Sequence, residues 1–214
     1  MIPRFPVYLF DIDGTLLDSA PDITASVSQA LAARTRQTNV PVEILRAYIG
    51  RHLIDLFEHL LPELSRADHE QLVLDYRGIY AARGHTQTRL YPGVAEMIAA
   101  LPGRKSTATT KGTPTAGLVL ELFGLRPHFE HVQGTDGFPS KPEPDVILHA
   151  IQALGARPSD CLMVGDSAPD MDAGRRAGVK TCAVRWGYGN HTEMAQFQPD
   201  YWIDRPDQLL AINT

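Results

Sequence analysis

Two carboxylates and a glycine, Asp11-Ile12-Asp13-Gly14, close the apolar run Val7-Tyr8-Leu9-Phe10. Acids two residues apart share one face of an extended chain and repel unless a cation or a shared proton compensates. Gly14 lets the backbone turn sharply or approach a ligand closely. A second acidic pair, Asp166 and Asp170, follows the apolar run Cys161-Leu162-Met163-Val164 in Gly165-Asp166-Ser167-Ala168-Pro169-Asp170. Between the two lies Lys141, in Ser140-Lys141-Pro142-Glu143-Pro144, where the prolines stiffen the loop. The other lysines are Lys105, Lys111 and Lys180, so an ammonium here stands out against a chain that otherwise uses arginine. Thr109 and Thr110 offer hydroxyls after the polar run Arg104-Lys105-Ser106-Thr107. Plainer readings exist for each: an Asp-Gly turn with solvated acids, a polar turn around Thr109, and acids favoured by a helix macrodipole after Gly165.

The elements around these residues alternate. Val7 to Phe10 reads as a buried strand ending at the acids. Capped by Asp18 or Ser19, with Pro21 in the first turn, a helix runs through Ile23, Val27, Ala30 and Leu31 until Thr38-Asn39-Val40-Pro41 punctuates it. Helices are predicted over Val42 to Tyr48, over Leu53 to Leu60 after Gly50, and through Leu72 and Tyr80 to Gly84. After Tyr91-Pro92-Gly93 strands and helices alternate. Helices are expected over Val94 to Leu101, through Leu118 to Leu122, from Pro144 to Leu154 and from Met171 to Ala177. Strands are expected over Ser106 to Thr109, Phe129 to Gln133, Cys161 to Val164, Thr181 to Val184 and Tyr201 to Ile203. This order predicts an α/β fold, a doubly wound and mainly parallel sheet, with a helical block inserted after the first strand. The core then comprises residues 1–16 and 89–214, and the insertion 17–88. Ligands of such sheets bind beyond the carboxyl ends of the strands, where Asp11, Asp13 and Asp166 would converge beneath the helices.

Composition sets limits. The chain has 214 residues and a net charge of −5, with 43% hydrophobic and 21% charged residues, ordinary for a globular protein. That charge gives no sign of a nucleic-acid or anionic-membrane binder, though it leaves room for a small phosphate site. No signal-peptide pattern opens the chain and no apolar run is long enough for a bilayer. Cys161 and Cys182 lie in apolar runs and read as buried thiols, so a cytoplasmic location is expected.

Asp11-x-Asp13-Gly14-Thr15-Leu16 with Asp18-Ser19, Lys141-Pro142-x-Pro144 and Gly165-Asp166-Ser167-x-x-Asp170 together resemble the haloacid dehalogenase superfamily, in the branch of phosphoglycolate phosphatases and β-phosphoglucomutases. The resemblance covers essentially the whole chain and implies a Rossmann-like core with a helical cap. It implies Asp11 as nucleophile, Asp13 as general acid/base and Thr109 as a hydrogen-bond donor to the phosphoryl group. Thr110 or Thr107 takes that place if the register differs. Gly14 and Thr110 would border the substrate, and Lys141 would compensate the acids and bind the phosphoryl group. Magnesium, which prefers oxygen ligands, would lie on Asp11, Asp166 and the carbonyl of Asp13, with Asp170 as a further or water-mediated ligand that holds Lys141. Asp172, about 200° round the helix from Asp170, has no assigned role.

The partner implied is a small-molecule phosphate ester, with no nucleic acid or membrane, acted on by a monomer or homodimer. An Asp at position 13 disfavours dehalogenase chemistry. No lysine lies between Leu16 and Arg89, which disfavours the cap Schiff base of phosphonate-hydrolysing relatives. Arg51, in Gly50-Arg51-His52, could bind a substrate carboxylate or second phosphate, or be a solvated charge. Arg185-Trp186-Gly187-Tyr188-Gly189 reads as packing at the site edge. The alternatives are a sugar-phosphate mutase and a non-catalytic, receiver-like phosphate-binding module.

Overall fold

The computed structural model describes residues 2–35 and 40–210. In chain order the elements are β1 (Val7–Phe10), β2 (Leu17–Asp18), α1 (Ala20–Arg34), α2 (Val42–Ala47), α3 (Leu53–Leu60), α4 (Arg66–Arg83), β3 (Arg89–Leu90), α5 (Val94–Ala100), β4 (Arg104–Thr107), α6 (Thr113–Leu122), α7 (Asp145–Ala153), β5 (Cys161–Gly165), α8 (Ala168–Ala177), β6 (Lys180–Val184), α9 (His191–Ala195) and β7 (Tyr201–Ile203). Thr38 and Asn39, read as a helix break, lie outside the described residues.

Five strands form one parallel sheet in the order β4-β1-β5-β6-β7. Strand alternation sends Tyr8 and Phe10 into one apolar cluster with Val94, Ile98, Val119 and Leu120 of α5 and α6. Val7 and Leu9 enter another, with Ile147 and Ile151 of α7 and Ala173 and Ala177 of α8. Both faces are thus covered, which explains why β1 and β5 read as continuous apolar runs. In the sheet β1 lies between β4 and β5, so the loops after these three strands open onto a common crevice.

The helices α1 to α4 have their own apolar cluster, built on Val27, Leu31, Leu45, Phe57 and Leu72. The chain enters and leaves this layer through β2 and β3, a two-stranded antiparallel pair of Leu17 with Leu90 and Asp18 with Arg89. Buried Asp22 at the start of α1 accepts hydrogen bonds from the N–H groups of Gln87 and Thr88 and from the Thr88 hydroxyl, which ties the two crossings together.

Two expected strands differ. The one read over Ser106 to Thr109 lies at Arg104–Thr107, two residues earlier, and the one read over Phe129 to Gln133 reduces to a single bridge between Ser106 and His131. The cause is the polar edge strand itself. The Thr107 hydroxyl donates to the Gln133 carbonyl and accepts from the Gln133 N–H, so a side chain does the work of a ladder. Buried Lys105 donates from its ammonium to the carbonyls of Leu101 and Gly103, which satisfies a charge on a strand that composition made unattractive.

Candidate active site

Main-chain pairing aligns the ends of the three strands. The Asp11 N–H donates to the Val164 carbonyl, and the Ala108 N–H donates to the Phe10 carbonyl. Asp11 and Asp13 therefore stand beside the loop that begins at Ala108 and beside Asp166. All three acids are buried.

Lys141 reaches into this group from the loop before α7. Its Nζ donates to Asp11 Oδ1 at 2.9 Å, to the Ala108 carbonyl at 2.9 Å and to Asp170 Oδ1 at 2.5 Å. These partners take all the donors of an ammonium. Here Lys141 compensates and holds the acids. The Lys141–Pro142 peptide is cis. Asp170 is fixed from its other oxygen by the N–H and the hydroxyl of Ser167, which caps α8. Asp172 faces away, paired with Arg175 and Arg176.

Asp166 accepts from Thr15 Oγ1 at 3.1 Å and from the Tyr188 N–H at 2.8 Å. The Arg185–Gly189 loop closes over it. Trp186 Nε1 donates to the Thr15 carbonyl, and a Cβ on Gly187 would stand 2.4 Å from the Asp166 Cβ. Gly14 is equally confined: its φ is +86°, and a Cβ there would meet Asp166 Oδ2 at 2.2 Å. Its N–H donates to the Leu17 carbonyl within the turn, so what it gives the site is space.

Asp13 is held on both oxygens. Ser19 Oγ donates to Oδ1, so this residue, expected to cap α1 with its side chain, instead reaches back to the acid. Lys111 Nζ stands 3.0 Å from Oδ2. Sequence reasoning assigned no role to Lys111. Its signal was available, as one of few lysines directly after Thr109-Thr110, but nothing local reveals that it reaches Asp13. Thr109 is wholly buried and its hydroxyl accepts from the Lys111 N–H, while Thr107 is engaged on its strand. Thr110 lies on the wall of a cavity of about 530 Å³ that is also lined by Asp13, Arg51, Tyr80, His85 and Lys111. Arg51 pairs with Glu193 of α9 at 3.2 Å, and His52 caps α3.

Electrostatics follow from the count. Asp11, Asp13, Asp166 and Asp170 face Lys111 and Lys141, which leaves an excess of two negative charges if all are ionised. Burial, opposed by Lys141 and reinforced by Asp170 and Asp13, pushes the Asp11 carboxyl up to about 7. Burial and the neighbouring Asp170 and Asp11 raise Asp166 well above the usual carboxylate range. Oxygens of Asp11, Asp166 and Asp170 lie within 4.8 Å of one another. A buried all-oxygen donor set short of two positive charges fits a hard divalent cation.

A family model described as haloacid dehalogenase-like hydrolase matches residues 8–184. A phosphoglycolate phosphatase of Aquifex aeolicus is 31% identical over 210 residues, 96% of this chain and 95% of that protein. One of Xylella fastidiosa is 34% identical over 208 residues, 94% of this chain and 90% of that protein. Among solved structures, a haloacid dehalogenase-like family hydrolase of Streptococcus pneumoniae superposes with a TM-score of 0.87 at 26% identity, covering 97% of each chain.

Proposed function

As this chain belongs to the haloacid dehalogenase-like hydrolase family and is a phosphatase, we propose that it hydrolyses a small phosphate monoester of the phosphoglycolate type through an aspartyl phosphate on Asp11, with magnesium as the cation. The observation that carries this reading is the pair Asp11 and Asp13, two residues apart and each ion-paired to a different lysine. Lys141 favours the ionised form of Asp11, while Asp13 faces the cavity.

In this account Asp13, protonated once the anionic substrate is bound, delivers its proton to the leaving oxygen as Asp11 attacks phosphorus and the P–O bond breaks. Asp13, now a carboxylate, then takes a proton from water as the water oxygen attacks the aspartyl phosphate, which returns Asp11 and releases phosphate. The carboxylates of Asp11 and Asp166 with the Asp13 carbonyl would hold magnesium, and Asp170 anchors Lys141. When bound, the cation neutralises charge on the transferring group. Lys141 keeps Asp11 and Asp170 together, and Thr109 borders the place of the phosphoryl oxygens.

Residues 17–88 serve as a cap over the core of 1–16 and 89–214. The cavity between them suits a small anionic leaving group, with Arg51 on its wall as the candidate for a substrate carboxylate. Phosphate release across phosphoglycolate, sugar phosphates and nucleotides, with magnesium or chelator, tests this. Fastest release from phosphoglycolate in magnesium is expected. Fastest release from another ester would reassign the leaving group, and undiminished release in chelator would remove the metal from the account.

A further inference from the structure

The helix α4 reaches the acid/base through the Tyr80 side chain. Tyr80 Oη accepts a hydrogen bond from Lys111 Nζ at 2.9 Å, and the same ammonium stands 3.0 Å from Asp13 Oδ2. The ammonium also lies 4.5 Å from the centre of the Tyr80 ring. Tyr80 thus offers Lys111 an oxygen lone pair, with the ring behind it. The lysine lies among groups that favour its charge: desolvation alone would lower its pKa, but Asp13 and Tyr80 outweigh it and hold it above the usual range.

The tyrosine is itself held in place. Its ring stacks on Tyr76, with centres 5.5 Å apart and planes at 13°. The edge of the His85 ring meets it at 4.8 Å and 89°. His85 adopts φ +57°, in the left-handed region that is costly for residues other than glycine. Its Nδ1 is buried with no hydrogen-bond partner among the described residues. That nitrogen contributes no hydrogen bond to holding the ring. What it supplies is a wall that fixes the Tyr80 ring.

We propose that Tyr80 is a positioning residue which, through Lys111, fixes the Asp13 carboxylate, so that the seating of α4 over the core sets the geometry of the acid/base. The inference rests on the reading of Asp13 given above. Ser19 holds one Asp13 oxygen from the residue before α1, and Lys111, on the loop after β4, holds the other while its ammonium donates to Tyr80 of α4. The Ser19 and Tyr80 contacts are the two that tie Asp13 to the helical layer. A proton donor misplaced by a fraction of a bond length loses rate without losing substrate affinity.

The experiment is a double-mutant cycle on the magnesium-loaded enzyme, reading phosphate release from the best ester. Tyr80→Phe keeps the ring and removes the oxygen, and Lys111→Met keeps the length and removes the charge. Tyr80→Phe is expected to lower kcat about tenfold, the worth of a hydrogen bond to a charged group. KM should stay within about twofold, since in this proposal the phenol acts on Lys111 and not on the substrate. Lys111→Met should lower kcat about a hundredfold, the cost of a misplaced catalytic group. The double variant should match Lys111→Met alone, because the phenol acts only through the ammonium. Lys111→Gln replaces Lys111→Met in the cycle if the latter does not fold.

Effects that multiply in the double variant would overturn the proposal, as would a Tyr80→Phe enzyme altered in KM alone or in neither constant. Wild-type enzyme that releases no phosphate, or Asp11→Asn that releases as much as wild type, would instead overturn the phosphatase mechanism from which the proposal starts.

Discussion

Asp170 Oδ1 stands 2.5 Å from Lys141 Nζ, and neither side chain is exposed to solvent at all. The pair joins the start of α8 to the loop before α7 behind the nucleophile. Removing one member leaves the other charged and buried. Asp170→Ala is expected to destabilise the fold by about 3–5 kcal/mol, the cost of breaking a buried pair. Urea unfolding followed by circular dichroism measures this. A loss below about 1 kcal/mol, the range of an exposed pair, would contradict it.

The Gly14 turn leaves no room for a side chain beside Asp166. Gly14→Ala places a methyl group against that carboxylate and in a backbone region that disfavours it. Magnesium affinity, measured by calorimetry, should fall about tenfold or more, as for the loss of a contact that orients a ligand. Unchanged affinity would mean that Asp166 does not hold the cation.

Asp11 sets a pH dependence. Its carboxyl titrates near 7 in the folded chain and in the ordinary carboxylate range when unfolded. The folded state therefore binds the extra proton between those values. Its contribution to stability is fully present below the unfolded pKa and is lost as pH rises through about 7. Metal-free protein should melt at lower temperature at pH above 7 than below it. Added magnesium should raise the melting temperature more on the alkaline side, where no proton competes. Equal magnesium shifts on both sides of that value would contradict the assignment.

Arg51 is half exposed and paired to a half-exposed Glu193. Such a pair contributes below about 1 kcal/mol, so Arg51→Ala should leave the melting temperature nearly unchanged. If the guanidinium receives the substrate carboxylate, KM for phosphoglycolate rises about tenfold while kcat stays within about twofold. An unchanged KM would return Arg51 to the surface.

Much of the fold was legible because its elements carry local signals. Val7 to Phe10 and Cys161 to Val164 are apolar, bounded by glycine and acid, and buried on both faces. In the inserted layer α1 begins after Ser19, and α4 begins after Ser65 and ends at Gly84. β4 was displaced by two residues because Lys105, Ser106 and Thr107 are buried polar groups whose partners come from distant loops. The short pair β2 and β3 has too few residues for any periodicity. Lys111 was missed for the same kind of reason. Its meaning lies in Asp13 and Tyr80, far from it in the chain, and sequence spacing cannot bring the three together.

The central claim is a covalent phosphoryl group on Asp11. Acid quenching of the magnesium-loaded enzyme after brief contact with radiolabelled phosphoglycolate, followed by peptide mapping, tests it directly. The label is expected on the peptide that contains Asp11, and none on the Asp11→Asn protein. Label elsewhere in the chain, or phosphate release by wild type with no trapped label while Asp11→Asn stays fully active, would contradict the account.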